Sequence, residues 1–303
     1  MSAPTVPPVL DPAAQERTGP AALRPAGGRE KRGLTRWLLL AAVSLVALLM
    51  SAPFLVLLLN AFRSQADYAT NGPFSLPDAL TLSAFERYLG DVDYPLALAN
   101  SFVISLLVAI LGVALSLFAS YAIGIGRIRG AGVVTAVLLF ATMLPQEATI
   151  YPLFYGAQAL GLRDTIWSVV LIFSVLQAAF GTYLLGSVLS TFPPSLLEAA
   201  RLDGASRWQI LWRIVFPVLR PTLSVLVIFF FIWTWNEFYI PTVMLTDASV
   251  QTVPIALSTI RGELSTDITE LNAGSLLSLL PTLIFFLLFQ RTLTRGITAG
   301  AVK

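Results

Sequence analysis

Two glutamates stand inside long apolar segments of this chain, Glu147 and Glu237. A charged side chain is costly inside a bilayer and usually marks a functional position there. Glu237 follows Trp235 and Asn236, so an aromatic ring, an amide and a carboxylate are adjacent. Aromatic faces and amide groups suit a sugar, which offers C–H faces and many hydroxyl groups. These four residues are candidates for a substrate path; the alternatives are a buried interhelical hydrogen bond for Glu237 and a position near a helix end for Glu147.

The chain offers little other chemistry. It has no cysteine and no histidine, which excludes disulfides, thiolate catalysis and most zinc sites. No nucleophile, base and orienting group occur together in the pattern of a catalytic site. The sequence also lacks the G-x-x-x-x-G-K-[ST] pattern of an ATP-binding loop. We therefore predict no catalytic residue, no metal site and no cofactor bound by this chain, and we do not expect it to be an enzyme.

The composition is that of an integral membrane protein. Of 303 residues, 56% are hydrophobic and 12% are charged, and the mean hydropathy is +0.78. A soluble domain carries about 25% charged residues. Six apolar runs reach the length of about 20 residues that a membrane-spanning helix needs. They lie at about 37–62, 97–124, 131–153, 166–189, 222–243 and 271–289.

The distribution of Lys and Arg predicts the topology. Fifteen of these residues fall in the two tails and the alternate loops on one side of the predicted membrane, and four fall on the other. The positive-inside rule places both termini in the cytoplasm, as an even number of spans requires. The alternative is five or seven spans, because Glu147 interrupts the third run. We predict an all-α membrane protein with six transmembrane helices, in which residues 1–36 are a disordered tail and residues 37–303 form the transmembrane domain.

The most polar internal segment, residues 192–221, lies between the fourth and fifth runs and falls on the cytoplasmic side. Ser195 and Glu198 have the spacing of a capping box and predict a short helix up to about Leu202. Asp203-Gly204 ends that helix, since glycine tolerates the left-handed conformation that follows a helix.

A second helix is predicted to follow directly. Ser206 and Gln209 have the spacing of a second capping box. One apolar face then recurs at helical spacing, which predicts a helix with one side against the membrane. The residues of this face are Trp208, Leu211, Trp212 and Val215.

This hairpin resembles the EAA loop of ATP-binding-cassette importer permeases. The pattern of that loop is Glu-Ala-Ala, followed after three residues by Gly and after nine more residues by Ile-x-x-Pro. Phe216 stands where the family usually has Leu, which is a conservative departure. The matching residues are Glu198, Ala199, Ala200, Gly204, Ile214 and Pro217.

Three further segments resemble the MalG-like carbohydrate-uptake branch of this family. Residues 235–238 resemble its WNEF signature, and residues 144–153 resemble its third span. The ending at residues 296–303 resembles its G-x-T-x-G-A-V-K terminus. The resemblance covers residues 37–303, so only the N-terminal tail lies outside it.

The resemblance implies a permease subunit of a sugar or oligosaccharide importer in the bacterial or archaeal inner membrane. Its implied partners are a second homologous permease, two cytoplasmic ATPase subunits that hold ATP and magnesium, an external sugar-binding protein and the sugar itself; no nucleic acid is expected. The first short helix would be a coupling helix seated in a groove of the ATPase, with small alanines allowing close approach. The implied coupling residues are Glu198, Ala199, Ala200, Asp203 and Gly204.

Three other functions are weaker. A glycerol-phosphate-like ligand usually requires Arg or Lys near the pathway, and the predicted spans contain neither. A stand-alone secondary transporter or channel needs no docking hairpin for a cytoplasmic ATPase. A membrane-embedded enzyme needs a polar constellation that this sequence lacks.

Overall fold

The computed structural model describes residues 32–126, 128–260 and 267–301. Side chains are described for residues 36–126, 128–260 and 267–292. Regular secondary structure in these residues is helical throughout, which confirms the predicted all-α fold. Five helices are long and apolar enough to cross a membrane, and a bent pair of shorter helices brings the number to six. Most of the tail predicted to be disordered, residues 1–36, lies outside the described residues.

The helices follow one another with short connections. One continuous helix, Arg207–Trp235, consists of α9, a π-helical segment at Leu211–Val215 and α10. In chain order the helices are α1 (Arg32–Ala61), α2 (Gln65–Asn71), α3 (Ser83–Asp91), α4 (Tyr94–Gly124), α5 (Ala131–Met143), α6 (Gln146–Ala159), α7 (Ile166–Ser190), α8 (Pro194–Leu202), α9 (Arg207–Ile210), α10 (Phe216–Trp235), α11 (Tyr239–Met244), α12 (Val253–Thr259) and α13 (Ile268–Ala301).

The packing core is formed by α4, α7 and α10. Glycines at the contact let these helices approach closely, because a Cβ atom on Gly181 would collide with Ser116 and lie 3.0 Å from the Phe230 ring. A Cβ atom on Gly112 would lie 3.1 Å from the same ring. Small residues at helix contacts are typical of membrane proteins, where close packing replaces the hydrophobic effect as the force between helices.

The third predicted span is not one straight helix. α5 ends at Met143, α6 begins at Gln146, and the two axes differ by 103°. Pro145 explains the break, since the residue before a proline avoids the helical conformation and Leu144 is extended, with φ −68° and ψ 129°. The single run predicted at 131–153 is therefore a bent pair of helices, with the bend at Leu144-Pro145.

The fifth predicted span, 222–243, is also displaced. The helix begins at Arg207 and ends at Trp235, and the chain resumes helical geometry only at Tyr239. Pro217 does not interrupt this helix, although a proline has no N–H to donate to the helical ladder. The segment just before it is π-helical, and there the Phe216 N–H donates to the Leu211 carbonyl. The wider π turn accommodates the missing bond. Glu237 therefore lies in a helix break and not near the middle of a span.

Candidate functional site

The two helix breaks meet. The Nε2 atom of Gln146, the first residue of α6, lies 3.4 Å from Oε2 of Glu237, which follows the end of α10. The other carboxylate oxygen of Glu237 accepts the Tyr239 backbone N–H at 3.2 Å, where α11 begins. The Glu237 N–H donates to the Thr234 carbonyl at 3.2 Å. Glu237 thus joins the end of one helix to the beginnings of two others.

A pocket of about 400 Å³ opens beside this junction, between α6 and α11. Glu147, Tyr151 and Tyr155 recur every four residues and form one face of α6. Both tyrosines are largely exposed, at 72% and 64%. The residues that line the pocket are Glu147, Ile150, Tyr151, Phe154, Tyr155, Tyr239 and Val243.

This lining combines aromatic rings with hydrogen-bonding groups. Tyrosine offers a flat face and a hydroxyl that donates and accepts, and an ionised carboxylate accepts from hydroxyl groups. No Lys or Arg is among the described residues that line the pocket. The nearby guanidinium of Arg163 lies over the Phe154 ring at 5.1 Å and beside the Asp164 carboxylate at 3.6 Å. The pocket surface is therefore suited to polyhydroxyl ligands and unfavourable to anions.

Asp164 joins the loops that follow α6 and α11, a role that the sequence analysis missed. Its Oδ1 atom accepts hydrogen bonds from the Thr246 N–H, the Thr246 hydroxyl and the Asp247 N–H at 2.6, 2.7 and 3.2 Å. The Asp164 N–H donates to the Met244 carbonyl at 3.0 Å. The Thr246 hydroxyl bond is the main reason why the pKa of Asp164 lies below its usual value. This carboxylate clamps the loop after α6 to the loop after α11.

A buried contact fixes the end of α10. Gln177 of α7 donates through Nε2 to the Thr234 hydroxyl at 2.9 Å, and both side chains are buried. Thr234 in turn accepts the Glu237 N–H through its carbonyl. The three residues connect the α7 core to the pocket.

The four predicted substrate-path residues separate into two groups. Glu147 lines the pocket and Glu237 stands at its edge through Gln146. Trp235 is buried and stacks on Phe231 at 5.8 Å between ring centres, away from this pocket. Asn236 donates back to the Ile232 carbonyl at 2.7 Å and so satisfies the end of its own helix. The spacing of Tyr151 and Tyr155 from Glu147 was the sequence signal that would have revealed the tyrosine face.

The predicted capping box at Ser195 and Glu198 is absent. α8 begins at Pro194 with Pro193 before it, and no side chain caps its start. Proline suits the first helical position because it has no N–H to satisfy, so the helix starts two residues earlier than the capping box requires. Ser195 therefore lies inside the first turn, and the Glu198 side chain is exposed.

The far end of α8 follows the prediction. Gly204 has φ +77°, and its N–H donates to the Arg201 carbonyl at 3.1 Å. The Ala205 N–H donates to the Ala200 carbonyl at 3.0 Å, which completes a Schellman motif. The predicted box between Ser206 and Gln209 is confirmed, with both reciprocal bonds present at 3.3 and 2.7 Å.

The hairpin faces differ from expectation in two places. Ala200 is only 8% exposed and packs into the core with Leu211 and Val215, so it is not available for close approach by a partner. Leu211 and Val215 likewise point inward, and only Trp208 and Trp212 of the predicted membrane face are exposed. Helical periodicity identifies an apolar face, and in a helix that packs on other helices this face lies against protein.

The outward surface of α8 is small and mixed. Glu198, Ala199 and Asp203 are exposed, and Leu202 is 88% exposed. Leu202 is the residue of this surface that the sequence analysis missed. The exposed surface of α8 thus combines a carboxylate, a small residue and a large apolar side chain.

Residues 26–298 match the family described as binding-protein-dependent transport system inner membrane component. The chain belongs to this family. This permease is similar to the arabinooligosaccharides transport system permease protein AraQ of Halalkalibacterium halodurans, with 30% identity over 281 residues that cover 91% of this chain and 99% of the relative. It is also 30% identical to the trehalose/maltose transport system permease protein MalG of Thermococcus litoralis, over 89% of this chain and 98% of the relative.

A solved structure has the same fold. One chain of a bacterial ABC transporter involved in the import of the acidic polysaccharide alginate matches this permease with a TM-score of 0.75 at 22% identity. The match covers 86% of this chain and 97% of that chain. The overall helical fold of this chain is therefore that of a solved ABC importer chain.

We expect Glu237→Ala to change substrate-stimulated turnover of the assembled transporter, because it removes the acceptor shared by Gln146 and Tyr239 at the pocket edge. Glu237→Gln, which keeps one carbonyl oxygen, should retain more of the wild-type rate. Uptake by proteoliposomes and thermal stability would be measured side by side. Unchanged uptake together with unchanged stability of Glu237→Ala would make Glu237 a passive position.

Proposed function

We propose that this permease forms half of the translocation pore of an ATP-driven importer of an uncharged sugar or oligosaccharide. The observation that carries the proposal is the pocket at the paired helix breaks, with its tyrosine face and its carboxylate. The names of the relatives, which refer to arabinooligosaccharides and to trehalose and maltose, support the same substrate class.

Charge favours an uncharged ligand over an anionic one. Glu147 lies in the pocket and Glu237 at its edge. Arg163, whose guanidinium lies over the lining residue Phe154, is paired with Asp164. Like charges disfavour an anion in a site of reduced dielectric. A phosphate-bearing ligand would need a cation from the partner permease, so the glycerol-phosphate alternative is the weaker candidate.

We propose the coupling route from the same geometry. The exposed surface of α8, with Glu198, Ala199 and Leu202, docks on a cytoplasmic ATPase. Gly204 turns the chain directly into the continuous helix Arg207–Trp235, which at 1.5 Å per residue is about 43 Å long. Its far end carries the break beside the substrate pocket. One rigid helix thus joins the ATPase contact to the pocket.

The orientation follows from charge. The positive-inside distribution places the α8 hairpin and both termini in the cytoplasm. The complex contains a second permease, two ATPase subunits that bind ATP and magnesium, and an extracytoplasmic binding protein. Substrate and nucleotide act on each other only by binding differently to inward- and outward-facing states.

ATP hydrolysis by the reconstituted complex, with its binding protein, tests the substrate class. Neutral mono- and disaccharides should include the strongest activators, and uronate oligosaccharides of equal length should stimulate hydrolysis at least about tenfold less because of carboxylate repulsion. Stimulation by uronates alone, or by no sugar at all, would contradict the proposal.

We expect Glu198→Ala and Gly204→Asp to reduce ATP-driven uptake while leaving membrane insertion intact. The first removes the exposed carboxylate of the docking surface, and the second strains a turn with positive φ. Ser190→Ala is the matched control, because Ser190 is exposed at the end of α7, outside α8, and its hydroxyl donates only to the Ser187 carbonyl of its own helix. Full uptake by either variant would contradict the docking role.

A further inference from the structure

A second polar pocket lies at the other end of the long helices. It has a volume of about 420 Å³ and is formed where the end of α4 meets the α8 hairpin. Its side chains come from segments distant in sequence, and they include two arginines. The lining residues are Tyr121, Ala122, Ile125, Gly126, Ile128, Arg201, Ala205, Arg207 and Ile210.

The positive charge of this pocket is not neutralised within the described chain. Neither Arg201 nor Arg207 has a carboxylate oxygen within ion-pair distance in the part of the chain that the structure describes. The carboxylates closest in sequence, Glu198 and Asp203, are exposed. Two guanidinium groups at one pocket are the usual means of binding a phosphate, because each presents a fork of N–H donors.

The pocket also lies beside an aromatic group typical of the membrane surface. Trp208 follows Arg207, and its ring meets the Phe118 ring edge-on at 6.0 Å. Trp212 meets Phe118 in the same way at 6.4 Å. All three rings are exposed, and tryptophan is enriched where the bilayer meets water. The Tyr121 hydroxyl donates to the Arg207 carbonyl at 2.8 Å and holds the pocket together.

We propose that this pocket binds the phosphate of an anionic phospholipid headgroup through Arg201 and Arg207. The acyl chains of that lipid lie against the exposed rings of Phe118 and Trp208. A free phosphate would satisfy the arginines but would make no contact with these rings. Anionic lipid of the cytoplasmic leaflet is attracted by basic residues at this level. The bound lipid would support the base of the hairpin next to α8.

Native mass spectrometry of the assembled transporter tests this proposal. The complex would be purified from nanodiscs that contain phosphatidylcholine and phosphatidylglycerol in equal amounts. The wild type should retain more phosphatidylglycerol than phosphatidylcholine. The double variant Arg201→Gln/Arg207→Gln should retain about tenfold less phosphatidylglycerol than the wild type. Arg213→Gln/Arg220→Gln, which changes two exposed arginines outside the pocket, should behave as the wild type.

Three outcomes would overturn the proposal. They are equal retention of both lipids by the wild type, unchanged retention by the Arg201 and Arg207 variant, and displacement of the lipid by millimolar inorganic phosphate, which would indicate a free-anion site. Arg201→Lys/Arg207→Lys keeps the charge and should retain part of the preference, which separates lost binding from a folding defect. The readout is lipid retention and not transport, so failure here leaves the proposed transport function untouched.

Discussion

The structure depends on the requirement that every backbone polar group within a bilayer finds a partner. A helix can break inside a membrane protein only where protein or a water-filled cavity satisfies the freed groups. Two breaks occur here, at Leu144-Pro145 and after Trp235, and they meet through Gln146 and Glu237. Within the second break the Glu237 carboxylate accepts the Tyr239 N–H, and a polar pocket lies beside this contact. The proposed substrate site lies at this pairing.

The same constraint links the pocket to the cytoplasmic hairpin. The helix that ends at the second break begins immediately after the Gly204 turn, and its lower half packs with α4 and α7 in one core. Its upper end is held by the Gln177 bond to Thr234. In the coupling route that we propose, a displacement at α8 reaches the pocket through this single packed element. Packed elements of this kind move between discrete arrangements and transmit small shifts over long distances.

Several features that depend on neighbouring residues were predictable from the sequence, although the capping box expected at Ser195 and Glu198 does not form. Apolar length identified the membrane helices, and local chemistry identified the Gly204 turn and the Ser206 box. Features that depend on residues far apart in the sequence were not predictable. Hydropathy, for example, has the same profile for a straight and a bent helix. Gln146 and Glu237 are 91 residues apart, and nothing local shows that they meet. Periodicity recorded the apolar character of Leu211 and Val215 but not whether lipid or protein covers them.

Thiol labelling tests the central claim most directly, since the natural chain has no cysteine. Tyr155→Cys places a single thiol in the pocket, and Ala159→Cys places one on the same helix, exposed and outside the pocket. The transported sugar, delivered by its binding protein to the complex during turnover, should slow maleimide labelling at the first thiol and leave the second unchanged. Equal labelling rates at Tyr155→Cys with and without sugar would contradict the claim that the paired breaks form the substrate site.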